Sequence, residues 1–299
     1  MIDHRLQTLR ALCAHGTVTS AAYAMHLTPS TVSQQLRQLA KDVGAPLLEA
    51  DGRRVRLTPA AHILLEHADV LHAQWERARC DLEAYRQGDV GELRLCGISS
   101  AVAALAAPAA ALLRDSHPRL KVHMSAEESA ECFRLLLAEA VDIAVVIPGA
   151  DAPSLDDPRF EQELLTDDPQ DLLVPADHRW AGKESVELSE AAHEAWISMP
   201  NCLDAQQMLF SSTARAGFVP RVEHEAADPF SLSGLVSCGF GVGLMPHMWP
   251  VPADHRVVRV PISGEVQPTR RIFACVRRGS ADQGAIAHAL KALRTVSQG

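Results

Sequence analysis

The sequence has 299 residues with 47% hydrophobic content and a formal net charge of −9. This length suffices for about two domains, and the apolar content excludes global disorder. The seven cysteines are scattered without a C-x-x-C pair, which argues against a disulfide framework and a zinc module. We therefore expect no metal or cofactor. With no apolar run near the ~20 residues of a membrane span and no signal core behind residues 1–5, we expect a cytoplasmic protein without membrane contact.

Positive charge is concentrated at the N-terminus. Residues 1–58 contain seven Lys and Arg against four Asp and Glu, a net charge of +3. The other 21 basic and 33 acidic residues give −12. Such a distribution is expected where a small basic module contacts phosphate and the larger body does not. It predicts nucleic-acid binding by residues 1–58.

The first 46 residues predict three helices, with the second and third joined by a tight turn. The first ends at Gly16, the second covers about 19–25, and the third covers about 30–43. Val32, Leu36 and Leu39 form an inward stripe on the third helix. Its outer side is rich in Ser, Thr and Gln, which can bond to base edges and phosphates. A helix-turn-helix fits this pattern, and an ordinary three-helix packing unit is the alternative.

Residues 47–58 predict a β-hairpin around Asp51-Gly52. Val55 and Leu57 are expected to face inward, with the alternating arginines facing outward to hold phosphates beside the groove. Residues 1–58 thus form a predicted DNA-binding domain. Its expected DNA contacts are Thr28, Pro29, Ser30, Thr31, Ser33, Gln34, Arg37, Arg53, Arg54 and Arg56.

A family resemblance becomes specific here. It is carried by Ala21-Ala22, Leu27-Thr28-Pro29-Ser30-Thr31-Val32-Ser33-Gln34-Gln35-Leu36, Gly44-Ala45-Pro46-Leu47-Leu48-Glu49 and Val55-Arg56-Leu57-Thr58. Together they resemble the N-terminal domain of LysR-type regulators. The resemblance implies a winged helix-turn-helix whose third helix enters the major groove. Pro29-Ser30 stands where many members have Gln-Pro, Gln34 where many have Arg, and Ala50 where a wing arginine is common, so no operator sequence can be transferred.

Residues 59–88 predict one long linker helix. Two series of mainly apolar residues, each with a spacing of seven, interleave along it as the a and d positions of a coiled coil. The expected dimerisation residues are Leu64, Ala68, Leu71, Trp75, Ala78, Leu82 and Tyr85. A helix packed only on its own domain is the alternative. The resemblance favours pairing, and a homodimer or homotetramer would read two half-sites of a pseudo-palindromic double-stranded DNA. A contact with RNA polymerase stays open.

Residues 91–299 alternate between predicted strands and helices, which indicates a mostly parallel α/β sheet. We place lobe I at about 91–166 and 266–299, and lobe II at about 167–265. The expected fold is thus an N-terminal all-α winged helix-turn-helix plus long linker helix, followed by a two-lobed α/β effector domain like that of periplasmic binding proteins. The glycines at 239, 241 and 243 follow a helix and precede a strand, the reverse of a phosphate-binding loop.

The resemblance places a small-molecule effector between the two lobes, where helix N-termini meet strand ends. The matching positions are Ser99, Ser100, Glu127, Glu128, Pro148, Asn201, Cys202 and Phe230. If Glu127 and Glu128 face the cleft, they disfavour a strongly anionic effector. If they face solvent, the helix ends favour a carboxylate. The sequence leaves both alternatives open, along with the effector's identity, the target genes and the sign of regulation.

The sequence offers three alternative functions. An enzyme is disfavoured because the sequence has no H-E-x-x-H, nucleophile elbow or spaced Cys/His set, so no catalytic or metal residue is expected. A thiol-based redox sensor of the same family would use Cys202, with Cys238 as a distant companion. A free periplasmic binding protein conflicts with the fused DNA-binding module and the missing signal core.

Overall fold

The computed structural model describes residues 3–51, 54–86, 91–149 and 152–298. The N-terminal head contains α1 (His4–His15), α2 (Val18–Ala24), α3 (Pro29–Val43), β1 (Leu48–Asp51) and β2 (Arg54–Leu57). Its core includes the predicted stripe of α3, Val32, Leu36 and Leu39, all at most 3% exposed. Among the described residues, no helix combines the length and hydropathy that a membrane crossing requires.

Threonine side chains cap the starts of α2 and α3. Thr17 and Thr28 accept hydrogen bonds from the backbone N–H of Ser20 and Thr31, at 3.1 and 3.2 Å. Between the two helices His26 has a φ of 53°, in the left-handed region that lets the chain reverse direction. Short polar side chains therefore fix where α2 and α3 begin, and the left-handed residue between them reverses the chain.

The wing is an antiparallel hairpin in which Asp51, at the end of β1, pairs with Arg54, at the start of β2, as predicted, but one detail differs. Val55 was expected to face inward but is 38% exposed, whereas Leu57 packs against the core of the head. Leu57 and its cross-strand partner Leu48 pack against the core at the base of the ribbon, whereas Val55 lies further out, where none of the described elements covers the ribbon. The predicted DNA contact Arg53 lies outside the described residues.

Helix α4 (Pro59–Arg86) connects the head to the rest of the chain. Thr58 caps it by accepting a hydrogen bond from the N–H of Ala61 at 3.2 Å. One side of α4 packs in the head through Ala61 and Leu65, and further along Glu76 is buried against lobe I. The side chains of the predicted dimerisation residues Leu82 and Tyr85 lie outside the described part.

The dimerisation seam needs one correction. Ala68 is 2% exposed because it lies on the side of α4 that packs against its own chain. The exposed apolar residues on the described part of α4 form a neighbouring stripe, the linker face: Ile63, Val70, Leu71, Trp75 and Ala78. Leu64 is half-buried at its edge. The heptad pattern missed Ile63 and Val70 because it did not include the packing of α4 on its own head and lobe I.

Lobe I and lobe II follow. Lobe I begins with β3 (Gly91–Gly97), α5 (Ser99–Ala101), a π-helical segment (Val102–Ala106), α6 (Ala107–Ser116), β4 (Leu120–Ala126), α7 (Ser129–Leu137) and β5 (Ile143–Val146). β6 (Phe160–Pro175) leads into lobe II, which contains β7 (Val186–Glu187), a 3-10 helix (Leu188–His193), β8 (Ala195–Ser198), α8 (Leu203–Arg215), β9 (Arg221–Glu225), α9 (Pro229–Ser237), β10 (Gly243–Pro246) and β11 (Val257–Ser263). The chain returns through β12 (Thr269–Arg277) and ends with α10 (Gly284–Ser297).

One mixed sheet passes through both lobes. Its strand order is β4-β3-β5-β12-β6-β11-β7, with β10 also pairing with β6, while β8 and β9 form a separate parallel pair. β6 pairs with β12 up to Pro169 and with β10 from Gln170 onward. The expectation of a mostly parallel sheet is wrong, because β12 runs antiparallel to both β5 and β6. The chain leaves lobe I along β6 and returns along β12, so these two strands run in opposite directions.

Each lobe has its own apolar core. In lobe I, α5, α6 and α10 cover one face of the sheet and α7 covers the other. In lobe II, Trp180 and Trp196 are among the largest buried side chains. Gly241, within the glycine run, has a φ of 149°, and a Cβ there would lie 2.5 Å from the Ala195 carbonyl oxygen. Close backbone packing therefore accounts for this glycine.

Candidate functional site

The outer side of α3 offers a polar surface. Of the predicted contacts, Thr31 and Ser33 are half-buried and the other five on α3 and its cap, namely Thr28, Pro29, Ser30, Gln34 and Arg37, are exposed. The Thr28 hydroxyl lies 2.8 Å from both the Ser30 and the Thr31 hydroxyl oxygens. Hydroxyls and amides arranged along one helix face can bond to base edges and phosphates. The head core behind them holds α3 outward.

Several basic side chains of the head already have carboxylate partners. Arg5 contacts Asp3 and Asp42, and Arg10 Nε lies 2.8 Å from Asp69 Oδ1. On the wing, Arg56 Nη2 lies 2.6 Å from Glu49 Oε1. The side chain of Arg54 is outside the described part. The charge available for phosphate is thus smaller than a count of arginines implies, and a phosphate must compete with Glu49 for Arg56.

A buried polar network lies where the two lobes meet. Arg270 Nη2 donates to Ser100 Oγ at 3.0 Å, and Arg270 Nε donates to Asp168 Oδ2 at 3.1 Å. The N–H of Met248 donates to the other oxygen of Asp168 at 3.1 Å. Arg270 is 9% and Asp168 2% exposed, so this pair is desolvated. The arginine also lines a cavity of about 20 Å³, together with Gln170 and Ser198. That volume is near the minimum for one water, and apart from Arg270 the lining residues belong to lobe II.

A second cavity of about 40 Å³ lies between Glu128 and Ser129 of lobe I and Asp204 and Gln207 of lobe II. Ser129 Oγ donates to Asp204 Oδ2 at 3.2 Å. Burial raises the pKa of Asp204, and burial together with the Asp204 charge raises the pKa of Glu128. Glu128 lines this cavity and so faces the cleft, whereas Glu127 lines neither cavity, and both residues are exposed. The carboxyl groups of Glu128 and Asp204 disfavour a strongly anionic group in this cavity.

The remaining predicted effector residues are more dispersed. Ser99 and Asn201 are exposed, Pro148 is half-buried, and the three line neither cleft cavity. Phe230 is 59% exposed, and its ring lies 5.0 Å from that of His255. Cys202 is half-buried at the start of α8, where burial raises the pKa of its thiol. Of the predicted residues, Glu128 lines a cleft cavity, and Ser100 joins the cleft network through the hydrogen bond from Arg270.

Sequence reasoning missed Asp168, Gln170, Asp204 and Arg270. Asp168 and Gln170 lie where β6 passes from lobe I to lobe II, and Arg270 lies opposite them near the start of β12. A charged side chain beside an otherwise apolar strand is a usable pattern, since Arg270 and Arg271 precede the apolar run from Ile272 to Val276. Its partner could not be found, because the two are 102 residues apart.

A larger cavity of about 500 Å³ separates the head from lobe I. The head contributes Arg10 and Cys13, α4 contributes His62 and Asp69, and lobe I contributes Arg159. Burial lowers the pKa of Arg10 and raises that of Asp69, so the ion pair between them is partly desolvated. The head and lobe I are therefore loosely packed against one another at this level.

Both parts of the chain match known families. Residues 4–62 match the family described as bacterial regulatory helix-turn-helix protein, lysR family, and residues 86–298 match the LysR substrate binding domain. The regulator ShiR of Corynebacterium glutamicum is 29% identical over 251 residues, 82% of each chain. The hydrogen peroxide-inducible genes activator of Pectobacterium carotovorum is 27% identical over 301 residues, 98% of this chain and 96% of that protein.

Solved structures share the fold over the whole chain. A full-length cysteine variant of OxyR from Pseudomonas aeruginosa superposes with a TM-score of 0.68 at 19% identity, covering 100% of this chain and 97% of that one. Full-length CbnR in complex with its target DNA superposes with a TM-score of 0.54 at 20% identity, covering 99% and 100%. The combination of head, linker helix and two lobes is therefore a shared architecture.

Proposed function

Because the chain belongs to the LysR family of transcriptional regulators, we propose that it binds a specific DNA duplex through α3 and the wing, and that a small molecule between lobes I and II controls this binding. The observation that carries the DNA part is the polar face of α3, which a packed apolar core holds outward. The protein is a regulator and not an enzyme. We also propose a cytoplasmic location, which is consistent with binding to DNA.

The expected DNA contacts divide into two kinds. Side chains of α3 such as Ser33 and Gln34 can read base edges in the major groove, and Arg56 of the wing can hold a phosphate. CbnR has been solved with its target DNA, which supports the same use of the head here. Phosphate contacts position the protein, whereas base contacts provide the sequence preference.

Pairing of two subunits through the linker face completes the DNA-binding unit. Four large apolar side chains on this face are between 40% and 60% exposed in the single chain: Ile63, Val70, Leu71 and Trp75. An apolar stripe of this kind is expected to be covered by a partner helix. A homodimer then presents two copies of α3 to two half-sites, and two dimers form the tetramer.

The effector part of the proposal is supported by the buried network between the lobes. Ser100, Gln170 and Ser198 provide polar atoms beside Arg270, so a small polar molecule would find donors and acceptors when the lobes open. The charge of Arg270 is already balanced by Asp168. Glu128 and Asp204 lie at the neighbouring cavity. This arrangement favours a neutral or amine-bearing effector over a polyanion.

The test of the DNA part is selection from a library of random duplexes by the full-length protein. We expect enrichment of two related half-sites whose centres lie about one helical turn apart. The double variant Ser33→Ala/Gln34→Ala should lose the preference, while the control Ser211→Ala/Gln267→Ala, on exposed residues outside the head, should keep it. If a proven dimer enriches no sequence at moderate salt, the DNA part of the proposal is wrong.

A redox sensor is the second candidate, favoured by the relatives named hydrogen peroxide-inducible genes activators. Cys202 would be its thiol. Burial raises the pKa of that thiol, however, and so reduces the thiolate that reacts with peroxide. Binding to the selected duplex, measured with and without hydrogen peroxide in wild type and Cys202→Ser, separates the two candidates. A response that wild type shows and the variant lacks would favour the redox sensor.

A further inference from the structure

Two buried arginines lie at opposite ends of β12, and each contacts a different functional part of the chain. Arg270 bonds to Ser100 and Asp168 in the cleft, and Arg277 lies beside Glu76 of the linker helix. We propose that β12 couples the cleft to α4, with Arg277 and Glu76 as the positioning residues at its far end. This inference rests on the proposed function, since it concerns how an effector in the cleft changes the head.

The contact with α4 is buried and polar. Arg277 Nη2 lies 3.7 Å from Glu76 Oε2, and Gln283 Nε2 donates to the same oxygen at 2.8 Å. Glu76 is 0% and Arg277 2% exposed. A buried charge is stable only where its partners are in place, so the Glu76 side chain can occupy few positions on lobe I. A shift of Arg277 must therefore move α4 or break the contact.

A glycine brings the two elements still closer. Gly279, in the turn after β12, has a φ of 83°, and a Cβ there would lie 2.6 Å from the carbonyl oxygen of Ala73 in α4. Backbone therefore packs directly on backbone beside the Glu76 contact. The nearest side-chain atom is Cγ of Arg77, itself part of α4, at 3.2 Å from the same added Cβ, so a displacement of the turn acts directly on α4.

The strand between the two arginines is suited to transmit a displacement. β12 is hydrogen-bonded to β5 on one side and β6 on the other, and every residue from Ile272 to Arg277 is buried. At about 3.3 Å per residue, the seven steps from Arg270 to Arg277 span about 23 Å. The direct route from lobe I to the head crosses the cavity of about 500 Å³ and is loosely packed. The tight connection therefore runs through β12 and α4.

Hydrogen exchange of the full-length protein tests this coupling in both directions without an effector. Glu76→Gln should speed amide exchange in the cleft segments 99–101 and 168–170. Ser100→Ala should speed exchange at residues 72–76, because energetic coupling between two sites is reciprocal. The expected changes are roughly 2- to 30-fold. Glu66→Gln, at an exposed position of the same helix, is the control and should leave the cleft unchanged.

A steric variant provides a second route to the same result. Gly279→Ala should push the turn away from α4 and speed exchange in the cleft as Glu76→Gln does. Gly217→Ala is the matched control, since Gly217 has a φ of 86° but nothing lies within 4 Å of an added Cβ. If Glu76→Gln unfolds the protein, Ser100→Ala still decides through exchange at residues 72–76.

The selected duplex allows a double-mutant cycle on DNA affinity. The effects of Ser100→Ala and Glu76→Gln should be non-additive by roughly 2- to 30-fold. Additive effects, together with cleft exchange equal to that of the controls, would show that the Glu76 contact is structural only and would overturn the inference. If no duplex is selected, the DNA part of the proposed function fails, and the exchange experiment still decides on the coupling.

Discussion

The wing provides the sharpest prediction about DNA binding, because its arginine is engaged in the single chain. Arg56 Nη2 lies 2.6 Å from Glu49 Oε1, and the two side chains are 71% and 43% exposed. An exposed pair of this kind contributes about 0–1 kcal/mol, less than a charge-assisted bond to a phosphate. We therefore expect Arg56 to leave Glu49 and hold a phosphate when DNA binds.

The size of the effect follows from counterion release. Each phosphate contact contributes about 0.9 to the slope of log K against log salt. Arg56→Ala should lower that slope by about 0.9 per head. Between 50 and 200 mM salt, the ratio of variant to wild-type affinity should therefore change by about 3.5-fold per head. Glu49→Gln should tighten binding, because it releases Arg56 from its partner.

The assay is fluorescence anisotropy on the selected duplex over a salt series, with full-length protein. Arg221→Ala is the matched control. Arg221 is also an exposed arginine paired with a glutamate, Glu223, but it lies on β9 of lobe II. A slope for Arg56→Ala equal to that of wild type would refute the wing contact. Weaker binding by Glu49→Gln would show that the ion pair holds the wing in its binding conformation.

Three further predictions concern the core, the linker face and the cleft. Leu36→Ala, at a residue 2% exposed in the head, should destabilise the head by about 2–5 kcal/mol, measured as faster hydrogen exchange in α1 and α3 with the lobes unchanged. Trp75→Asp places a charge on the linker face and should convert the dimer to monomers by light scattering, and an intact dimer would contradict that role. Burial raises the pKa of Asp204, so ionisation of this group destabilises the folded lobe as pH rises through the raised value. Asp204→Asn should therefore raise the melting temperature relative to wild type at pH 7 and not at pH 3, and an equal change at both would show that charge is not the cause.

Much of the head could be predicted because local rules and tertiary packing agree there. The period of Val32, Leu36 and Leu39 fixes the buried side of α3, and the Thr28 cap and Pro29 fix its start. The exposed side then follows without further information. The prediction that Val55 faces inward was wrong. Alternation along a strand predicts two faces, but the presence of a neighbouring element decides whether the inner face is covered.

The lobes were harder to predict, for two physical reasons. The first half of β6 reads Glu161-Gln162-Glu163, with Asp167 and Asp168 further on, so it lacks the apolar run of a buried strand although it pairs with β12. The cleft was only partly found, because helix starts and strand ends could be placed from the sequence but the pairing of Arg270 with Asp168 depends on strand order. Long-range partners of that kind leave no trace in local periodicity.

The position of β12 has a consequence for synthesis of the protein on the ribosome. A central strand of lobe I, between β5 and β6, comes from residues 269–277, near the end of the chain. The head and its core are complete once residue 65 has emerged, whereas lobe I must wait for more than two hundred further residues. A nascent or prematurely terminated chain would thus carry a folded head beside an unfinished sheet with open edges, the kind of species that chaperones retain.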